Sequence, residues 1–204
     1  MSNVKAFALS ALVLVAGIAA IVGLSYASFG YLMAYMPDVP VDAAAHLAQA
    51  RSGLAAKDDA YTRWVHLADV AFWTVDTGDL RTAAVLADEA LAMAPAHERD
   101  WNYGNVLHKA NLARGRIALR VHQPKAAAVF LLEAGRTPGS PQLDSFGPNM
   151  LLARELLEAG ERDAVLQYID LVSKFWRHDA GAVAAWKRMI MKGDTPNFGG
   201  NLLM

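Results

Sequence analysis

Six histidines hold most of the chain's capacity for acid–base or metal chemistry: His46, His66, His97, His108, His122 and His178. None belongs to a His-Glu-x-x-His pair, the spacing that puts two imidazoles on one helical face around a zinc ion. His66 and Asp69, three residues apart, have the spacing of a helix-surface contact, not of a ligand set. No cysteine is present, which excludes disulfides, thiolate metal sites and thiol nucleophiles. No serine stands in a Gly-x-Ser-x-Gly elbow, and no glycine-rich loop precedes a helix to cradle phosphate. Glu155, Glu158 and Glu161 read as a solvated helix face instead of a general acid and base. The residues predict no catalytic group, no metal and no cofactor. A formal net charge of -1 leaves no basic field for nucleic acid.

The elements that carry these residues begin with an apolar one. No charge occurs between Lys5 and Asp38, and the run Ala6 to Leu24 is continued by Tyr26 to Met36. A helix of about 20 apolar residues crosses a bilayer, and Tyr26, Phe29, Tyr31 and Tyr35 have the character of an interfacial aromatic belt. The expectation is a transmembrane anchor over residues 1–36, in contact with lipid over 6–36. Lys5 precedes it and Asp38 and Asp42 follow, which predicts a cytoplasmic N-terminus and a periplasmic or extracytoplasmic domain. The alternative is a signal peptide cleaved near Ala27, and secretion. Ala19, Gly23 and Ala27 recur every fourth residue, a spacing that lets a partner helix pack closely, whether from another protein or a second copy of the chain. An alanine-rich helix also shows that ladder from composition alone.

Pro37-Asp38-Val39-Pro40 ends the segment, since proline cannot continue a helix. Beyond it apolar residues recur at three and four and not at two, predicting helices over 42–56, 59–77, 80–94, 99–121, 124–134, 148–159, 161–176 and 179–192. The fold expected is all-α, with 37–63 as linker and first helix, 64–192 as a repeat domain and 193–204 as a tail.

These helices pair into hairpins. The first runs Leu67, Val70, Ala71, Thr74, Gly78-Asp79, Ala83, Ala87, Ala90-Leu91 and Pro95. It resembles the tetratricopeptide repeat, with Leu67 and Thr74 where that family has Trp and Tyr. Arg114-Gly115, Ala118, His122, Ala127, Leu131 and Ala134 follow at corresponding spacings, with His122-Gln123-Pro124 in place of the Gly-Asp turn. Leu152-Ala153, Leu156, Gly160-Glu161, Val165, Ile169 and Val172 form a third set. The resemblance covers about residues 64–175 and implies an α-solenoid, because one hairpin cannot bury both its faces alone.

What the resemblance implies about function is a groove lined by the first helix of each hairpin. The matching positions are Phe72 and Asp76, then Lys109, Leu112, Arg116 and Arg120, then Met150, Arg154 and Glu158. Lys109, Arg116 and Arg120 would form a cationic stripe able to hold a carboxylate-bearing or acidic peptide; an ordinary solvated basic face is the alternative. On that expectation charge reversal at Arg116 and Arg120 abolishes partner capture and leaves folding intact. The function class is a membrane-anchored interaction scaffold, assembly factor or accessory subunit of an envelope complex, with other proteins as partners. The alternatives are a permanent structural subunit and a helical ligand-binding domain or enzyme.

Two segments depart from the pattern. Residues 135–147 are long for a repeat connection, and are either functional or a surface link with Phe146 pinned into the core. The tail 193–204 carries Phe198 and Leu202-Leu203-Met204 among glycines, so it is expected to dock on the domain or on a partner without forming a helix, or else to fray. The five tryptophans are assigned to helices and to packing, with Trp176 also a candidate for an exposed patch.

Overall fold

The computed structural model describes residues 40–204, and the expected anchor with its Ala19, Gly23 and Ala27 ladder lies outside them. Among the described residues there is no strand, and no helix is long and apolar enough to cross a membrane. Nine α-helices follow one another among them. They are α1 (Ala43–Leu54), α2 (Ala60–Thr74), α3 (Leu80–Met93), α4 (Tyr103–Arg120), α5 (Pro124–Gly135), α6 (Pro141–Phe146), α7 (Leu151–Glu158), α8 (Arg162–Val172) and α9 (Ala182–Lys192).

Their starts follow from local chemistry. Asp42, Asp59 and Asp79 accept from the backbone N–H three residues on, at 2.9, 2.8 and 3.0 Å, satisfying donors that a helix leaves open at its first turn. Pro124 stands at the start of α5, where its missing N–H costs nothing.

Three hairpins, α2–α3, α4–α5 and α7–α8, pack in succession, each first helix against the next; α1 covers α2, and α9 covers α8. The hairpin turns are alike in a way the residue types conceal. Gly78, His122 and Gly160 all have left-handed backbone, with φ of 81°, 60° and 85°. The second and third turns close with the same bond, Gln123 N–H to Ala118 C=O and Glu161 N–H to Leu156 C=O, the pattern that satisfies carbonyls at a helix end. Counting from each turn, the same offsets are fully buried: Ala83, Ala127 and Val165; then Ala87, Leu131 and Ile169; then Ala90, Ala134 and Val172. The first hairpin has alanine at all three offsets, and the third has valine, isoleucine and valine. The described residues therefore form packed neighbouring helices compatible with a helical repeat.

Gly115 carries part of that packing. A Cβ added there would stand 2.3 Å from a Leu152 methyl, so only hydrogen allows α4 to approach α7 this closely.

Two departures from expectation lie in the connections. The stretch 135–147 contains a helix, α6, capped by the Ser140 hydroxyl, which accepts from Leu143 N–H at 3.0 Å. Leu143, not Phe146, is the buried anchor of that helix; Phe146 is 62% exposed. Hydrophobicity alone favours the larger ring for the core, but the orientation of this short helix turns Leu143 inward. Trp101, in a turn before α4, and Trp176, beyond the end of α8, lie outside the helices expected to hold them; Trp101 is 58% exposed, while Trp64, Trp73, Trp176 and Trp186 are buried. The tail docks on the domain itself: Phe198 packs edge-on against Trp186 at 5.0 Å, and Leu202 is buried at the close of a single 3-10 turn.

Candidate functional site

The residues expected to line a groove divide into two sets. Phe72, Leu112, Arg116 and Met150 are buried. Around Arg116 they form an internal joint. Its Nη1 donates to Phe72 C=O at 3.1 Å and to Asp76 at 2.9 Å, and its Nη2 donates to Asp76 at 2.7 Å and Glu155 at 3.1 Å. Nε faces the Glu155 carboxylate at 3.2 Å. A guanidinium has five N–H donors, and this arrangement engages all three of its nitrogens. The group also lies over the Phe72 ring at 4.8 Å. Burial alone would lower the Arg116 pKa, but the two carboxylates outweigh it and hold the charge more firmly than usual.

Asp76, Arg116 and Glu155 come from three successive hairpins, so the joint fastens one to the next. Arg120 reaches Glu155 at 2.9 Å from the surface side, its side chain 37% exposed. The cationic stripe is therefore balanced by Asp76 and Glu155, and Arg116 presents no charge to solvent. Glu155 belongs to this joint and not to a solvated acidic face; Glu158, one turn on, is exposed. Arg154 is half-buried.

Lys109 leads to a different place. It pairs with Asp69 at 3.1 Å and borders a cleft of about 210 Å³ between α2, α4, α6 and residues 147–149. The floor is apolar: Val65, Ala68, Val106 and Leu143. The walls are amides, from Asn102, Asn105, Gln142 and Asn149. Asn102 donates to the Tyr61 hydroxyl at 3.2 Å, and Asn105 donates to Gln142 at 3.1 Å. Tyr61, Trp101 and Phe146, each next to this wall in sequence or by hydrogen bond, leave large apolar surface in solvent.

Asn149 is the hub of this region, and every polar atom it has is used. Its N–H donates to His108 Nε2 at 3.2 Å, its Oδ1 accepts from Leu151 N–H at 2.9 Å, and its C=O accepts from the Tyr168 hydroxyl at 3.1 Å. Its Nδ2 donates to the main-chain oxygens of Leu202 at 3.2 Å and Met204 at 2.6 Å. Accepting from Asn149 fixes His108 as the neutral form with its proton on Nδ1, which donates to Ala134 C=O at 3.0 Å. Burial, with a smaller effect of Lys109's charge, pushes the His108 pKa down to about 4 against the opposing bond to Ala134.

Gly147 sets the direction of this segment. Its φ of 84° with ψ of 178° is a conformation essentially confined to glycine, and an added Cβ would strike the Trp176 ring at 2.5 Å. Sequence reasoning missed Asn149 and the amide wall because no spacing distinguishes them from surface polar residues. Gly147-Pro148, a backbone signal directly before Asn149, was the available hint.

Among the described residues no group of histidines and carboxylates is arranged to hold a metal ion. Compared with family models, with curated proteins and with solved structures, the chain matches none.

Proposed function

We propose that the chain is a membrane-tethered adaptor of the tetratricopeptide kind, an assembly factor or accessory subunit that holds another protein near the bilayer. Residues 6–36 supply the tether and the hairpins supply the binding face, on the extracytoplasmic side. The observation that carries this reading is the amide-walled cleft. A primary amide both donates and accepts, as a peptide group does, so Asn102, Asn105 and Gln142, which bond one another, Tyr61 and Ser140, suit an extended main chain that exchanges with those bonds better than they suit an ion or a reacting group. The apolar floor receives a side chain of the guest. Exposed aromatic residues beside such a cleft are the type that supplies most binding energy at interfaces.

The site differs from the cationic groove that family resemblance suggests. It sits at Lys109 and extends towards α6, away from Arg116 and Arg120.

The test is copurification in mild detergent of the full chain, of a chain lacking residues 1–36, and of a full chain with Trp101→Ala and Phe146→Ala. Both rings are largely in solvent, so the double variant keeps its melting temperature within the range of surface changes. A partner retained by the full chain and depleted at least about tenfold by the double variant is the expected result, the depletion corresponding to about 1.4 kcal/mol. A partner recovered equally from both would remove the cleft from the account. One lost only on removing 1–36 would be a partner of the membrane helix.

A further inference from the structure

The cleft is already partly filled by the chain itself. Met150 N–H donates to the Asn201 main-chain oxygen at 2.7 Å, and the Asn149 amide holds the oxygens of Leu202 and Met204. The Lys109 ammonium holds the Met204 oxygen as well. These are donors from the domain to the main-chain oxygens of Asn201, Leu202 and Met204, the kind of contact by which a peptide main chain is recognised.

Met204 also stands between two spaces. It borders the amide-walled cleft on one side. On the other it borders a broader hollow of about 600 Å³ against α1 and α2, edged by His46, His66 and Trp73. Asp69 and Lys109 border both spaces too, so the hollows are neighbours with Leu203 and Met204 at their junction. Burial falls along the segment, from Leu202, fully buried, through Leu203, half-buried, to Met204, 37% exposed. Phe198 and Leu202 anchor the segment, and the two residues beyond are held chiefly by hydrogen bonds to their main chain.

We infer that Leu203 and Met204 are a built-in competitor for the guest peptide. They occupy the Asn149 and Lys109 donors that a partner's main chain requires, and the partner binds by lifting them and joining the two hollows into one channel. This rests on the peptide-binding reading above. It also narrows the guest. Lys109 is matched by Asp69, so the site is close to neutral, and with Val65, Ala68, Val106 and Leu143 in its lining it suits a peptide main chain with an apolar side chain beside it.

A guest that needs an open site binds with an affinity reduced by the fraction of molecules that are open. Weakening the self-contact therefore strengthens binding in trans. The variant is the full chain with Leu203 and Met204 removed, since the bonds to be released go to the Met204 main-chain oxygen, leaving Phe198 and Leu202 in place. The probe is a fluorescent peptide copying residues 199–204 with both ends blocked, followed by polarisation. The expected result is binding at least tenfold tighter to the variant than to the unmodified chain, and lost again when Lys109→Ala is added. Equal binding to both chains, or none to a variant that melts normally, overturns the inference.

Copurification separates this from the adaptor reading. A partner captured equally by the unmodified chain and the shortened variant rejects self-competition and leaves the adaptor standing. Tight peptide binding to the shortened variant, with no partner captured by either, supports self-competition and rejects the adaptor.

Discussion

Arg116 and Lys109 lie two helical turns apart on α4, and their surroundings could hardly differ more. Arg116 is enclosed, with its nitrogens committed to Asp76, Glu155 and the Phe72 carbonyl. Lys109 borders open space, its charge offset by one carboxylate and its remaining reach spent on the Met204 main chain. A row of cations on one helix is thus a fastening at one end and a binding edge at the other. What separates the two is the carboxylates brought in by neighbouring hairpins, which no spacing within α4 discloses.

Breaking the fastening should produce the largest effect. Arg116→Met removes the only cation buried between Asp76 and Glu155 and leaves Glu155 with Arg120 alone on the solvent side. Breaking one partner of a buried ion pair typically costs about 3–5 kcal/mol; Asp76 and Glu155 keep 25% and 14% of their side chains in solvent, so denaturant unfolding of the full chain should register a loss towards the lower end of that range. Adding Asp76→Asn and Glu155→Gln should recover much of it, because the stranded charges are then gone. Charge reversal at Arg116 is accordingly expected to unfold the domain, not to leave it folded with its partner lost. An Arg116→Met chain as stable as the parent would mean that the joint holds nothing together.

The next effect sharpens the comparison from the cleft side. His108 supports Asn149 as a neutral imidazole with its pKa pushed down to about 4, while in the unfolded chain it titrates near its ordinary 6.5. Between those values the unfolded state binds the proton and the folded state does not, so acid favours unfolding. The stabilisation is complete above pH 6.5 and is lost as pH falls towards 4, a difference on the order of 3 kcal/mol. Unfolding free energy measured from pH 7 to 4 should fall more steeply for the parent than for His108→Gln, which cannot titrate. Parallel curves would show that the imidazole is not held neutral. Asp144, drawn down to about 2 chiefly by its hydrogen bonds to Arg177, loses its own contribution at lower pH still, so the two losses separate along the pH axis.

The helices were legible in the sequence for a physical reason. Alanine spacing, aspartate caps and glycine turns act locally, and residues such as Ala83, Ala87, Asp79 and Gly78 sit where periodicity puts them. Even the unlikely turn at His122 could be aligned with Gly78 and Gly160, since burial repeats at fixed offsets from it. The site was legible only in part. Lys109 was named for its charge, but the amide wall unites α4, α6 and residues 147–149, and Asn149 gains its role from His108, Tyr168, Leu202 and Met204, all distant in the chain. Phe146 misled for the same reason: its hydrophobicity is a local fact, and whether it faces inward depends on how a six-residue helix is seated.

The smallest effect discriminates best between the two views of the stripe. Arg120 follows Arg116 by one turn and looks equivalent in sequence. It touches the same two carboxylates, Glu155 at 2.9 Å and Asp76 at 3.7 Å, but from the solvent side. Water already screens that contact, and Arg116 still holds both carboxylates when it is gone, so Arg120→Ala should cost about 0–1 kcal/mol. If the stripe were a binding face, the two arginines would matter alike for partner capture and little for stability. As a joint with one buried member, it predicts a steep fall in stability cost from Arg116 to Arg120, with the partner still captured by the Arg120→Ala chain. Equal and small stability losses for the two, accompanied by loss of the partner in both, would return the binding site to the stripe and take it from the cleft.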